Sequence, residues 1–108
     1  MFFEYPKNFR SKQVAPGWLV HFIIGEHMSL SRHSIDPKSV AAMHTHVNEQ
    51  MGMILDGEFE MTIGNETRRL KRGDTYRVPP NVVHGGVTHE RSTSILEAFS
   101  PPRDYDKL

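Results

Sequence analysis

The sequence predicts an all-β domain, either a sandwich of two sheets or a small barrel. Glycine, proline and pairs such as Asp-Gly recur at short, even intervals along the 108 residues, as expected for many short strands joined by turns. The segments between these breakers are rich in β-branched, aromatic and methionine residues, which favour strands. No window of a dozen residues sustains a helical period of about 3.6 residues, so long helices are not expected.

Six segments have the composition of a strand. In chain order they are Trp18 to Ile24, His27 to Ile35, Gln50 to Leu55, Glu58 to Ile63, Thr75 to Val78 and Thr93 to Phe99. Asp56-Gly57 predicts a two-residue hairpin, because a type I′ turn needs positive φ at both central positions. Gly64-Asn65 predicts the next turn along the chain.

The length predicts one domain over residues 1–108, because two halves of this size would be too small to bury separate cores. We expect its core within about residues 18–100. Residues 1–13 and 101–108 are predicted to be arms that cover a sheet edge or a neighbouring subunit. Four methionines in the strand segments are predicted to fill the core; they are Met28, Met51, Met53 and Met61.

The composition excludes several classes of function. The 13 Lys and Arg residues balance the 13 Asp and Glu residues, which argues against binding to nucleic acid or an anionic membrane surface. Cysteine is absent, so there is no disulfide framework and any metal must be bound by nitrogen and oxygen. The chain has neither a basic leader nor an apolar run of about 20 residues, and we expect a cytoplasmic location.

Three of the seven histidines have the spacing of metal ligands. His44 and His46 are two residues apart, so on a strand their imidazoles point to the same face. The same alternation places Gln50 on that face and Glu49 on the other, although a bulge would reverse the choice. His84 could complete a site of three nitrogens and one oxygen, which suits Mn, Fe, Co, Ni or Zn.

These residues together resemble the two motifs of the cupin superfamily. Its first motif is a His-x-His pair, an acidic or amide ligand and a glycine, matched by His44, His46, Gln50 and Gly57. Its second motif is a glycine, a proline and a last histidine, matched by Gly73, Pro79 and His84. The sequence departs from the superfamily pattern at three positions, which are Gln50 in place of glutamate, Asn81 in place of glycine and Thr88 in place of asparagine.

The resemblance covers roughly residues 40 to 100 and implies a cupin-type double-stranded β-helix, a small jelly-roll barrel. It also implies a divalent metal ion bound by His44, His46, Gln50 and His84. Small cupins commonly pair, so the resemblance implies a homodimer as well.

Within the superfamily, the chain is similar to small single-domain cupins of the KdgF type, which open the ring of 4,5-unsaturated uronates released from pectin or alginate. The similar stretches are residues 44–50, 57–60, 78–86 and 99–103. In that family a glutamine replaces the acidic ligand, and the last strand supplies an acid, an aromatic residue and an arginine. The matching positions are Glu97, Phe99 and Arg103, with glutamate where the family usually has aspartate.

The last strand can also be interpreted from its residues alone. Ile95, Glu97 and Phe99 share one face because side chains alternate along a strand. A buried Glu97 without a partner would have a raised pKa, which suits a general acid or base, whereas an outward Glu97 would be solvated. The resemblance assigns Glu97 to proton transfer, Phe99 to the sugar pocket, and Arg103 to the substrate carboxylate or to Glu97.

The leading hypothesis is therefore an isomerase that converts cyclic 4,5-unsaturated uronates to open-chain 5-keto-4-deoxyuronate. One alternative is an iron or manganese dioxygenase acting on another small molecule, which a Glu49 ligand would favour. Another is a metal-dependent sugar-binding protein without turnover. The remaining histidines stay unassigned; they are His21, His27, His33 and His89.

Overall fold

The computed structural model describes residues 1–108 as ten antiparallel strands in two packed sheets. The strands are β1 (Arg10–Ala15), β2 (Trp18–Ile24), β3 (Ser29–Ile35), β4 (Val40–His44), β5 (Glu49–Asp56), β6 (Glu58–Ile63), β7 (Glu66–Lys71), β8 (Thr75–Val78), β9 (His84–Val87) and β10 (Thr93–Ser100). A 3-10 helix, Tyr105–Lys107, follows the last strand. The all-β prediction is confirmed, and no helix is long and apolar enough to span a membrane.

The larger sheet has the order β1-β2-β3-β10-β5-β8, and the smaller has the order β4-β9-β6-β7. Their inner faces alternate with outward residues, as β10 illustrates: Ile95, Glu97 and Phe99 are buried, while the residues between and before them are half-buried. Apolar side chains of both sheets meet in one cluster, which includes Trp18, Ile35, Ile54, Ile95, Phe59 and Met61. Burial of this shared apolar surface holds the sheets together.

The predicted hairpin at Asp56-Gly57 is wrong. β5 pairs with β10 and β8, whereas β6 pairs with β7 and β9, so the chain crosses from one sheet to the other at this point. Gly57 has a φ of +85°, and a Cβ there would overlap the Ser92 carbonyl oxygen. The turn at Gly64-Asn65 is confirmed, because it joins β6 to β7 as a two-residue hairpin.

Replacing Gly57 by alanine is expected to lower the free energy of unfolding by about 2–6 kcal/mol, because a strained φ and a steric overlap each cost about 1–3 kcal/mol. The matched control is Gly73→Ala, since Gly73 has a φ of +89° but nothing lies within 4 Å of an added Cβ. Urea denaturation of both variants measures the difference. Equal losses in the two variants would show that the crossing is not tightly packed.

Both segments predicted as arms contribute ordered structure. Residues 10–15 form β1 at the edge of the larger sheet. The Arg10 guanidinium binds the carboxylates of Asp104 and Asp106, and the Tyr105 ring is buried against Phe22. The two ends of the chain are therefore tied together beside the edge strand.

The prediction that four methionines fill the core holds for one of them. Met61 is buried, whereas Met28, Met51 and Met53 are exposed. Met51 and Met53 alternate along β5 with the inward Gln50 and lie on the outer face of the larger sheet. Composition alone could not show which face of β5 is covered.

Candidate metal centre and active site

Three imidazoles converge between the two sheets. His44 ends β4 and lies opposite His84, the first residue of β9, while His46 follows in the loop before β5. One nitrogen from each ring lies within 4.8 Å of the other two. The expectation that His44 and His46 share a strand is wrong, because β4 ends at His44. The loop nevertheless brings His46 back to the same point.

Backbone carbonyls fix the orientation of all three rings. The Nδ1–H groups of His44, His46 and His84 donate to the carbonyl oxygens of Ala42, Asn48 and Val82 at 2.8, 3.0 and 2.9 Å, respectively. Since a carbonyl oxygen only accepts, each Nδ1 carries a proton, which leaves Nε2 as the one nitrogen of each ring that can bind a metal. Such outer hydrogen bonds typically orient metal-binding histidines.

Gln50 supplies a fourth donor atom. It faces inward at the start of β5, where its Nε2–H donates to Glu97 and its Oε1 lies 3.0 Å from His46 Nε2. Glu49 points away and binds the Arg77 guanidinium at 2.7 Å. The geometry thus places Gln50, and not Glu49, beside the imidazoles.

The arrangement fits a bound cation. Gln50 Oε1 and His46 Nε2 face each other with lone pairs, and His84 Nε2 is buried without any hydrogen-bond partner. Buried acceptors left unpaired are costly, and a divalent ion would satisfy all of them at once. Burial and the nearby positive charge of Arg103 lower the pKa of both His46 and His84, which keeps their imidazoles available as ligands.

Glu97 lies next to this cluster on β10. The prediction that it shares a buried face with Ile95 and Phe99 is confirmed. Its Oε1 accepts from His33 Nε2 at 2.8 Å, and its Oε2 accepts from Gln50 and from the Tyr76 hydroxyl. Burial alone would raise the pKa of Glu97, but the close contact with His33 and the hydrogen bonds from His33, Tyr76 and Gln50 outweigh burial and lower it. The raised pKa expected for an unpartnered Glu97 is therefore wrong.

Gly52 makes room for one of these bonds. Tyr76, Gly52 and Glu97 lie side by side on three neighbouring strands, with Gly52 in the middle. A Cβ at position 52 would overlap the Tyr76 ring, so only glycine allows Tyr76 to reach across to Glu97. Burial and the adjacent Glu97 carboxylate raise the pKa of the Tyr76 hydroxyl well above its usual value, so this group is a hydrogen-bond donor.

Phe99 and Arg103 complete the predicted set. The Phe99 ring is buried with its centroid 5.8 Å from that of His46, and the Arg103 guanidinium lies 5.9 Å from the Phe99 centroid. Arg103 has no carboxylate within 4.0 Å, so it does not hold Glu97. It lines a cavity of about 550 Å³ that also contains the imidazole cluster and Glu97.

Sequence reasoning assigned no role to three polar residues of the hydrogen-bond network around Glu97. They are His33, Tyr76 and Tyr105. His33 faces inward from β3, where its side chain is 7% exposed, while the neighbouring Arg32 is half-buried on the other face. The alternation of Ser29, Ser31, His33 and Ile35 along β3 could have shown that His33 faces inward, but nothing local indicates its partners.

Comparison with known protein families agrees with this geometry. Residues 31–98, more than half of the chain, match the family model described as a cupin domain. The chain belongs to the cupin family. The predicted double-stranded β-helix is confirmed for this cupin by its structural neighbours. The structure of KdgF from Halomonas sp. superposes with a TM-score of 0.87 and 27% sequence identity, covering 100% of this chain and 99% of that one.

Two curated relatives are similar over part of their length. The pectin degradation protein KdgF of Dickeya dadantii (strain 3937) is 35% identical over 66 residues, which cover 60% of each protein. The H2HPP isomerase of Bacillus subtilis is 29% identical over 82 residues, covering 66% of this cupin and 34% of that protein. This cupin therefore spans less than two thirds of either relative's length.

Proposed function

We propose that this cupin is a metal-dependent isomerase that opens cyclic 4,5-unsaturated uronates to open-chain 5-keto-4-deoxyuronate. The observation that carries the proposal is the presence in one cavity of the imidazole cluster, a buried carboxylate at Glu97 and an unpaired guanidinium at Arg103. The similarity to proteins named KdgF, one of them a pectin degradation protein, supports this substrate class.

His44, His46, His84 and Gln50 would hold the divalent metal ion, since their free nitrogen and oxygen atoms converge. When bound, such an ion supplies a Lewis acid that stabilises negative charge developing on a substrate oxygen. The donor set of nitrogen and amide oxygen suits Ni, Zn, Mn, Fe or Co.

The reaction needs two proton movements and no co-reactant. The bond between the anomeric carbon and the ring oxygen breaks while the anomeric hydroxyl loses its proton, which leaves an aldehyde and an enolate. The enolate becomes a ketone when carbon 4 gains a proton. Atoms and electrons balance, so the product is an isomer of the substrate.

Glu97 is assigned as the proton acceptor. A carboxylate offers about four lone-pair positions, and three of them are filled by the donors described above. The remaining lone-pair position is on Oε1, whose one donor in the protein is His33. Its lowered pKa keeps Glu97 ionised at neutral pH and therefore ready to accept the anomeric proton.

Arg103 is assigned to the substrate carboxylate and Phe99 to the wall that the sugar ring packs against. The guanidinium is half-buried in the cavity and free of protein carboxylates, and it presents a fork that matches a carboxylate. The Phe99 ring lies beside both groups, with its centroid 5.8 Å from that of His46 and 5.9 Å from the Arg103 guanidinium.

Replacing Arg103 by glutamine is expected to lower kcat/KM for the unsaturated uronate about 10–100-fold, mainly through KM, because a charge-assisted bond contributes about 1.5–3 kcal/mol. Steady-state kinetics measure the change. The matched control is Arg77→Gln, since Arg77 lies outside the cavity and binds Glu49. An unchanged KM in Arg103→Gln would contradict this assignment.

The decisive experiment follows the loss of the unsaturated-uronate absorbance with the purified, metal-loaded protein. Clearance faster than in buffer supports the isomerase. Oxygen consumption with added Fe(II) would support a dioxygenase, and saturable uronate binding without clearance would support a sugar-binding protein. Either of these two results without clearance overturns the proposal.

Isomerisation of a carboxylate-bearing ring with an apolar substituent is a second candidate function. The same cavity is lined by Val40, Phe59, Met61 and Ile95, an apolar surface larger than a small polyhydroxylated sugar needs. The similarity to an H2HPP isomerase supports isomerisation as the type of reaction. Competition of such a ring compound with the uronate in the same assay tests this candidate.

A further inference from the structure

A line of hydrogen bonds runs from the core to the candidate catalytic carboxylate. The Trp18 indole Nε1–H donates to His33 Nδ1 at 2.9 Å, and His33 Nε2 lies 2.8 Å from Glu97 Oε1. The side chains of His33 and Glu97 are each 7% exposed. The indole is packed in the main apolar cluster, so the line begins at a rigid point.

The donors along this line permit only one state of the His33 ring. An indole N–H can only donate, so His33 Nδ1 must present a lone pair to it. A proton on Nδ1, in the other neutral tautomer or in the imidazolium, would place two donors against each other. His33 is therefore neutral with its proton on Nε2, and it donates that proton to Glu97.

The His33 donor in turn determines how the Glu97 carboxylate oxygens are shared among the other donors. His33 binds Oε1, so the Gln50 amide and the Tyr76 hydroxyl share Oε2. With its Nε2–H bound to Glu97, Gln50 directs its Oε1 towards His46. The orientation of the fourth candidate metal donor thus depends on where the Glu97 carboxylate is held.

We propose that Trp18 and His33 are positioning residues, which hold Glu97 with one open lone pair on Oε1 and thereby aim the Gln50 carbonyl oxygen at the imidazole cluster. The role in turnover rests on the function proposed above, because that function assigns Glu97 as the proton acceptor. The role in orienting Gln50 is independent of any substrate.

The first test determines directly which nitrogen of the His33 ring carries the proton. In the full-length protein labelled with ¹⁵N-histidine and loaded with Zn²⁺, which is diamagnetic, we expect His33 to show a protonated Nε2 and an unprotonated Nδ1. The signal is assigned by its loss in His33→Gln. In Trp18→Phe, where the donor facing Nδ1 is removed, we expect a His33 species protonated at Nδ1. A wild-type His33 protonated at Nδ1 would overturn the proposal.

The second test uses Co²⁺ alone, whose visible absorption reports the coordination number. His33→Leu removes the donor to Glu97, and we expect its Co²⁺ spectrum to shift towards that of Gln50→Ala. His33→Gln keeps an N–H donor and should retain the wild-type spectrum. The control is His89→Leu, which removes a histidine that also faces a carboxylate, Glu60 at 3.2 Å, outside the cavity.

Kinetics form the third test. We expect His33→Leu to lower kcat about 10–100-fold with KM changed less than about threefold, and His33→Gln to recover most of the rate. A loss in His33→Leu no larger than in His89→Leu, or no recovery in His33→Gln, would overturn the role in turnover. If the wild type does not turn over uronates, the proposed function fails, whereas the ¹⁵N and Co²⁺ results still decide the positioning role. If His33→Leu does not fold, the wild-type ¹⁵N signals and His33→Gln decide it.

Discussion

His84→Ala is expected to bind divalent metal at least about 100-fold more weakly than the wild type, since even the loss of an outer hydrogen bond to a ligand costs about 10–100-fold. The substitution removes a buried Nε2 that has no partner in the protein, so no protein interaction is broken at that atom. Metal content after gel filtration, together with calorimetric titration of Zn²⁺, measures the effect.

His27→Ala is the matched control for this variant. The His27 side chain is 88% exposed and lies near only Glu26, so its removal should leave metal affinity unchanged. Thermal melts of both metal-free proteins establish that each is folded. Wild-type affinity in a folded His84→Ala protein would show that the imidazole cluster is not the metal centre.

Glu97→Gln is expected to lower kcat for uronate ring opening about 10²–10⁴-fold, the range typical of a lost general acid or base. Glutamine has nearly the same size and still accepts hydrogen bonds, but it cannot take up the anomeric proton at neutral pH. The absorbance assay measures the rate, and metal content shows whether the site remains loaded.

Glu49→Gln provides the control for the Glu97 variant. Glu49 precedes Gln50 in the same strand but faces outward to Arg77, so the same chemical change should leave the rate unaltered. Equal rates for Glu97→Gln and the wild type would remove Glu97 from the proposed mechanism. A large loss in Glu49→Gln would instead support the idea that Glu49 acts at the metal.

The all-β architecture was predictable because alternation and turn residues are local signals. Strands with an unusual composition were not predictable in the same way: β7 exposes every residue except Leu70, and β9 contains two glycines, Gly85 and Gly86. The Asp56-Gly57 pair marks a real change of direction, but a turn signal cannot tell whether the next strand returns beside the last or enters the other sheet. Strand pairing is decided by the whole inner surface.

The candidate site was likewise predictable only in part. The spacing of His44, His46, Gln50 and His84 was enough to select a set of side chains that the fold brings together. The partners of Glu97 could not be predicted, because His33 lies 64 residues earlier in the chain and Tyr76 lies 21 residues earlier. An isolated acidic residue on a buried face suggests a raised pKa, whereas the three donors that the fold supplies reverse the direction.

The carbonyl oxygens that orient the three imidazoles have an evolutionary consequence. The imidazoles of His44 and His84 bind the main-chain carbonyl oxygens of Ala42 and Val82, and every amino acid provides such an oxygen. Mutational drift at these two positions can therefore proceed without disturbing ring orientation, provided that the local backbone keeps its path. Homologues that retain the same histidines can therefore orient them alike with different side chains at both positions.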